Sequence, residues 1–372
     1  MPVAGFSHSV LLRSDGTAAA CGSNETGQCD IPALPKGLVY TQVSVGAHTV
    51  LLRSDGRAVA VGDNDYGQCK IPALDRGVSY IQASAGLRNT ALLRSDRRVV
   101  VCGDRRFGQR TIPKTEHGVF YTHVAAGGGH VVVLRSDGRA VAVGDDEHGQ
   151  CAIPELPWGV TYTAIDAGAT HTVLLRSDGQ AVACGDNRDG QCDIPPLGGR
   201  STYTQVAAGG THTLLLLSDG GAVAIGGNYW GQCDLPSEAA VYTQVSAGSG
   251  HSVLLKTDGQ AVAFGRGVCG QCDIPAAEPG VSYRLSQPLQ ARYAMALQLS
   301  IEMDSLPVAI CRSLAGSPLA TWKVRPDDCK SYVMRRILQE LTGCSLRFSV
   351  VLPDGKVLTP SLTFGELMDG SV

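Results

Sequence analysis

The chain is expected to fold as an all-β propeller of seven blades, residues 1–287, followed by a small α+β domain, residues 288–372. Three observations carry that expectation. A run close to H-(S/T)-x-x-L-x-(S/T)-D-G recurs seven times, with departures in single positions of some copies. Its copies are spaced at an almost constant interval. The repeat then stops near Ser286-Gln287-Pro288, where the composition changes.

The copies begin at His8, His48, Asn89, His130, His171, His212 and His251, at intervals of 40, 41, 41, 41, 41 and 39 residues. That period suits a propeller blade and is too long for leucine-rich or ankyrin units. Within one unit the local chemistry is all β. The runs YTQVSVG (40–46), HTVLLR (48–53) and RAVAV (57–61) read as strands, and Ser54-Asp55-Gly56 joins the last two. Asp-Gly between two apolar runs signals a hairpin, because glycine tolerates the positive φ the turn requires. The AVAV run has small apolar residues on both faces, as suits a strand covered on both sides by neighbouring blades. Gln68-Cys69-Lys70-Ile71-Pro72 reads as a short outer strand stopped by proline. No unit shows helical periodicity, which excludes helical solenoids.

The two ends of the repeat region are complementary. The first unit lacks the YTQV part of its opening strand and starts at Val3-Ala4-Gly5. The last unit runs on into Gly280-Val281-Ser282-Tyr283, which matches Gly77-Val78-Ser79-Tyr80. The tail is therefore expected to complete the first blade and close the ring, removing open sheet edges.

Bulk composition bounds the function. Of 372 residues, 44% are hydrophobic and 17% charged, as in a folded chain. The formal net charge of −3 argues against broad, charge-driven binding to nucleic acid. No stretch approaches the roughly 20 apolar residues of a membrane-spanning helix, and the first residues lack the pattern of a signal peptide. The 13 cysteines are odd in number and six of them recur at one spot per repeat, so a reducing compartment, cytosol or nucleus, is expected.

The pattern V-x-A-G-x-x-H-(S/T)-x-x-L…D-G-x-(V/A)-x-x-x-G-x-N-x-x-G-Q resembles the repeat of the regulator of chromosome condensation family, over residues 2 to about 287. The period is similar to the compact version in bacterial repeat proteins, including a β-lactamase inhibitor protein. Departures are visible. Cys21, Val61, Cys102, Val143, Cys184, Ile225 and Phe264 stand where the family has Trp. The third unit has Asn89 for His, Arg97 for the turn glycine and Arg110 for Cys, and is expected to be the least regular blade.

Beyond residue 287, strands are expected at Met295–Met303, Val308–Leu314 and Leu319–Val324. A helix is expected from a cap at Asp327 or Asp328, with Val333, Ile337 and Leu341 on one stripe and Gly343 at its end. Strands at Leu346–Leu352 and Val357–Leu358 follow, joined by Pro353-Asp354-Gly355-Lys356. This layout resembles a ubiquitin-like β-grasp. It lacks the closing strand and a di-glycine tail, so conjugation is not expected.

Every unit carries His, Asp and Cys, the ingredients of nucleophilic catalysis or a metal site. An active site needs one asymmetric arrangement, and seven copies argue for structure instead. The six repeated histidines are expected to hold turn geometry. The G-Q-C cysteines (Cys29, Cys69, Cys151, Cys192, Cys233 and Cys272) are expected to be small buried thiols, lacking zinc-type spacing. Cys269 and Cys272 form a lone C-x-x-C, explained by the repeat and a variable loop. Gly62–Gly67 has the spacing of a phosphate-binding loop but is followed by Gln68-Cys69, with no lysine, and reads as a turn. No catalytic residue, cofactor or metal is expected.

Function should lie where the repeats disagree. The four residues before each G-Q differ most: SNET (23–26), DNDY (63–66), DRRF (104–107), DDEH (145–148), DNRD (186–189), GNYW (227–230) and RGVC (266–269). They should form a crown on one propeller face. Aromatic residues and Arg are enriched among interface hot spots. Asp65, Tyr66, Arg105, Arg106, Phe107, Glu147, His148, Arg188, Asp189, Tyr229 and Trp230 are therefore the candidate partner-binding residues, and Trp158 is assigned to another surface. The expected function is a monomeric, non-catalytic scaffold for a protein partner. The resemblance implies two alternatives. One is guanine-nucleotide exchange on a Ran-like small GTPase, which in that family needs a wedge from one blade; the near-equal units leave none. The other is the substrate-recognition part of a ubiquitin ligase, since large HECT ligases carry similar propellers and the β-grasp-like segment points to that pathway.

Overall fold

In the computed structural model the described residues are 2–198, 201–237, 240–277 and 280–283, with the strand segments 298–302, 308–312, 318–323, 350–351 and 357–358. The chain divides into two compact units, Met1–Gln287 and Pro288–Val372.

The first unit consists of seven three-stranded antiparallel sheets, one per repeat, in a propeller arrangement. In the first blade these are β1 (Pro2–Ala4), β2 (His8–Leu12) and β3 (Ala18–Gly22); in the second, β4 (Tyr40–Val45), β5 (His48–Arg53) and β6 (Ala58–Gly62). The remaining blades open at Tyr80, Tyr121, Tyr162, Tyr203 and Tyr242 and close at Gly103, Gly144, Gly185, Gly226 and Gly265. Strand order within each sheet follows the sequence. The middle strand is the most buried element, with all of His48–Leu52 inaccessible to solvent. Leucine and valine from this strand meet the inner strand of the next blade, as in the cluster of Val50, Leu52, Tyr80, Ala83, Ala85 and Leu92. Each such side chain removed from water contributes about 1.5–3 kcal/mol.

The Ser-Asp-Gly hairpin forms as the sequence indicates. Arg53 N–H reaches Arg57 C=O at 2.8 Å, and Gly56 sits at φ 79°. The third blade, expected to be the least regular, has the same strand lengths and register as the second, and Arg97 occupies this glycine position at φ 67°, the one non-glycine residue with positive φ among those described.

Two expectations fail. Gln68–Pro72 is not a strand. Its amides are consumed by local turns (Lys70 N–H to Gly67 C=O, Ile71 N–H to Cys69 C=O) and proline has no donor. The segment instead presents the Pro72 carbonyl to the Tyr80 hydroxyl at 2.8 Å, while Ile71 packs against the core. Five other tyrosines at this repeat position clasp the corresponding proline in the same way. Consequently the AVAV strand is the outer edge of its sheet and only half buried, rather than covered on both sides.

Ring closure is visible in hydrogen bonds. Tyr283 pairs with Arg13 as Tyr40 pairs with Arg53, and Ser14 N–H donates to Ser282 C=O at 2.8 Å. The tail thus extends the first blade's opening strand. On the inner side, Ala4 N–H donates to Ser246 Oγ at 3.0 Å, joining blades one and seven.

A second closed circuit lines the central channel. The glycine after each inner strand (Gly5, Gly46, Gly86, Gly127, Gly168, Gly209, Gly248) offers its carbonyl to the preceding blade. The donors are Phe6, Ala47, Leu87, Gly128, Ala169, Gly210 and Ser249, at 2.8–3.3 Å. A methyl group on Gly127 would lie 2.5 Å from Gly168 O and 2.4 Å from the His130 ring, so the close approach requires glycine.

The repeated histidines differ from expectation. Their imidazoles bridge blades instead of bracing their own turns. His48 Nε2 lies 2.6 Å from Thr90 Oγ1, whose hydroxyl donates to Gln68 C=O at 2.7 Å. With the hydroxyl proton so engaged, Nε2 must be the donor. The same bridge joins His8 to Thr49, His130 to Thr172, His171 to Thr213, His212 to Ser252 and His251 to Ser9. The exception is informative. Between blades three and four the histidine is Asn89 and the hydroxyl residue is Val131; both members of the pair are replaced together. Asn89 Nδ2 makes only a long 3.5 Å contact to His130 C=O, and Oδ1 is buried without a partner.

In the second unit the strands Gln298–Glu302, Val308–Arg312 and Pro318–Lys323 form one antiparallel sheet, and Val350–Val351 pairs with Val357–Leu358. The helix expected after Asp327 lies outside the described residues, and these strands alone do not support a ubiquitin-like arrangement.

Burial holds the bridging histidines neutral, lowering them from 6.5 to about 4 at His48, His130, His171 and His251, and to about 3 at His8 and His212. The unfolded chain therefore binds more protons below pH 6.5, and stability falls as pH drops from 6.5 toward 4. Asp166, raised to about 6 by burial, acts oppositely but is a single group. A depression of this size is on the order of 3 kcal/mol per histidine, so full titration of six would exceed the roughly 5–15 kcal/mol stability of a typical domain. Acid unfolding is thus expected between pH 6 and 4, within those shifts, read by circular dichroism; an unchanged urea midpoint from pH 7.5 to 4.5 would contradict it. For the irregular seam, Asn89→His and Val131→Thr together are expected to exceed the sum of the single changes by about 1–2 kcal/mol in denaturant melts.

Candidate interaction surface

Each inner strand runs to one end of the propeller, the middle strand returns, and the outer strand runs back to that end. The variable tetrapeptides therefore emerge beside the turns that follow the glycine ring. Hydrogen bonds tie the two layers: Ser23 N–H to Ser7 C=O, Asp104 to Arg88, Asp145 to Gly129, Asp186 to Thr170, Gly227 to Thr211 and Arg266 to Gly250. The crown is thus one continuous end of the ring.

The same device shapes every crown loop. The buried Gln68 side chain accepts Tyr66 N–H at 3.0 Å, and its equivalents accept from Thr26, Phe107, His148, Asp189, Trp230 and Cys269. Asn64 Oδ1 accepts Cys69 N–H at 3.0 Å, and Asp63 Oδ1 accepts Asp65 N–H at 3.0 Å. The fixed Gln and Asn hold the backbone, which leaves the variable side chains pointing outward.

Tyr66, Phe107, Tyr229 and Trp230 are all exposed, at 39%, 47%, 75% and 53%. The structure brings several sequence-predicted residues together. Arg106 lies over the Tyr66 ring at 5.1 Å and the Phe107 ring at 5.8 Å, while forming a bidentate pair with the buried Asp104. Tyr229 donates its hydroxyl to Asp189 Oδ1 at 2.6 Å, linking blades five and six. Arg188 is held by Asp186 in its own loop, which keeps that carboxyl down at about 2. The Arg106 hydrogen bond likewise lowers Asp104. Asp65, Arg105 and Glu147 make no side-chain hydrogen bond or ion pair with another described residue, and His148 is half-buried beside Gln150.

Residues that sequence reasoning missed are Phe6, Arg88 and Arg266. Arg88 lies over Tyr66 at 5.0 Å and Arg266 over Trp230 at 5.1 Å, each guanidinium coming from the next blade. Phe6 and Arg88 belong to the short x-x turn of the V-x-A-G-x-x-H pattern, the other stretch in which the units disagree. Trp158 is fully exposed at the opposite end, near Thr161, whose N–H donates to Ser177 Oγ.

The opposite end is repetitive. Arg53–Asp55, Arg94–Asp96 and Arg135–Asp137 pair within their own hairpins at 2.6–2.8 Å, contacts worth at most about 1 kcal/mol each. At the crown end of the axis lies a small cavity of about 80 Å³, walled mostly by alanine and glycine together with Phe6, Val45, Leu87 and Ser249. Among the described residues, no three His, Cys, Asp or Glu side chains converge as metal ligands. The ten cysteines among the propeller's described residues are all free. The G-Q-C thiols are half-buried rather than fully buried, with Cys69 Sγ donating to Asp63 C=O at 3.2 Å. Burial raises that thiol to about 12 and keeps it unreactive. Cys269 is exposed.

Comparison with known proteins agrees with the repeat. Segments 3–28, 41–68, 121–150, 162–191 and 242–271 match the regulator of chromosome condensation (RCC1) repeat. No curated protein matches the chain by sequence. Among solved structures, Prp20p from Saccharomyces cerevisiae is similar at 18% identity and TM-score 0.59, covering 75% of this chain and 85% of that protein. Human WBSCR16 is similar at 18% identity and TM-score 0.57, covering 68% and 85% respectively. The ectodomain of the Arabidopsis thaliana receptor kinase ACR4 gives 18% and 0.57, covering 72% and 95%. These likenesses are of fold. The chain carries regulator of chromosome condensation repeats, folded into an RCC1-like propeller.

Proposed function

We propose that the protein is a protein-interaction scaffold without chemistry of its own, and that the crown is its binding face. One observation carries this reading. Of the eight large hydrophobic side chains exposed among the described residues, six (Phe6, Tyr66, Phe107, Tyr229, Trp230 and Val268) lie at the crown end. Only Trp158 and Val241 lie elsewhere. Exposed aromatics beside arginine are the composition of interface hot spots, and here stacking and the Tyr229–Asp189 bond pre-orient them. The similar Prp20p is described with its binding properties to Gsp1p and histones, which is consistent with protein partners. Free cysteines support a cytosolic or nuclear site of action.

Nucleotide exchange on a Ran-like GTPase remains the alternative of a different class, and a nucleotide-release assay separates the two. Recognition for a ubiquitin ligase is a special case of partner binding. The test is capture from native cells with cross-linking. Partners retained by the intact chain and by Trp158→Ala are expected to drop about 30-fold with Tyr229→Ala/Trp230→Ala, as for a hot spot of about 2 kcal/mol. Equal retention by all three would contradict the crown reading.

A further inference from the structure

Subtracting the crown groups that the loops themselves consume leaves an uneven remainder. Asp63, Asp104, Asp145 and Asp186 cap their own loops through backbone amides. Asp146 accepts Cys151 N–H, as Asn64 accepts Cys69 N–H. Arg106 is held by Asp104 and Arg188 by Asp186, and Arg266 lies over Trp230. What remains on the third blade is a positive island. Arg88 lies over the Tyr66 ring at 5.0 Å, the Asp104-paired Arg106 meets the same ring at 5.1 Å, and Arg105, next to Arg106 in the chain, is exposed. Neither Arg88 nor Arg105 has an ion-pair partner among the described residues. Phe107, 47% exposed, borders the island. Asp104 already neutralises Arg106, so Arg88 and Arg105 are the guanidiniums left for an outside carboxylate.

We infer that Tyr66, Arg88, Arg105 and Phe107 form a subsite for a short acidic segment of the protein partner, its carboxylates on the guanidiniums of Arg88 and Arg105 and an apolar side chain against Phe107. The inference rests on the crown reading and gives the partner's chemistry. Arginine suits the role because its planar fork binds carboxylate in a bidentate manner while stacking on an aromatic face. The island is short. Asp65 on the second blade and Glu147 on the fourth flank it, and like charge at both ends confines the bound segment to a few acidic residues. The same flanks disfavour a nucleic-acid backbone, which needs an extended basic track.

The test is a display selection with a random dodecapeptide library on the full chain, compared with an Arg88→Glu/Arg105→Glu variant. Both residues are exposed and outside the core, so the variant's melting temperature should match that of the intact chain. Peptides enriched on the intact chain are expected to carry net negative charge with an apolar residue. That bias is expected to vanish on the variant and to weaken with salt. No enrichment, no acidic bias, or the same bias on the variant overturns the inference. A dodecameric RNA binding as well as the enriched peptides, and lost with the variant, overturns it in favour of nucleic acid. If the variant keeps the cellular partners that Tyr229→Ala/Trp230→Ala loses, the subsite fails while the crown reading stands.

Discussion

The propeller depends on backbone contact between glycines around its axis. Each blade's inner strand ends on a glycine whose carbonyl accepts an amide from the blade before it, and the seventh blade donates to Gly5 of the first. The contact is possible only because no Cβ stands between successive blades or against the histidine ring. Because it is made once per junction, the spacing of the blades is set at the axis and not at the rim. The three-stranded sheets can then be short, and the closing Tyr283 needs to add only the outer part of one strand.

Around that ring lies a shell of neutral, hydrogen-bonded polar groups. Histidine to threonine or serine to glutamine carbonyl crosses six of the seven junctions. Inner-strand side chains add further links, such as Gln42 gripping both Ala83 N–H and C=O and Ser44 accepting Ala85 N–H. Buried polar groups so satisfied specify one register between blades, whereas the apolar contacts alone would tolerate sliding. This rigid frame is what allows seven loops of one backbone shape to display different side chains. The buried glutamine fixes each loop from below, and the variable residue next to it is left to face solvent or a partner.

Much of this was legible in the sequence. The period gave seven blades, the Ser-Asp-Gly signals placed the hairpins, and the mismatch between Val3-Ala4-Gly5 and Gly280–Tyr283 foretold the seal. The crown was found from disagreement between repeats, and Tyr66, Arg106, Phe107, Tyr229 and Asp189 do interact there. What escaped were interactions between a residue and the next repeat. The histidines seemed local because their partners lie about one repeat away in sequence. Arg88 was overlooked because it belongs to an inner turn and meets Tyr66 only across a junction. The outer strand was over-read from the apolar-proline pattern of Ile71-Pro72, where turn hydrogen bonds took the amides a ladder would have used.

Amide hydrogen exchange resolved to single residues tests the closed axial circuit most directly. The amides of Phe6, Ala47, Leu87, Gly128, Ala169, Gly210 and Ser249, all bonded to the next glycine carbonyl, should be protected together, to the level of global unfolding. Exchange of Ser249 about 100-fold or more ahead of the other six would mean that blades seven and one are not joined, contrary to the closed ring.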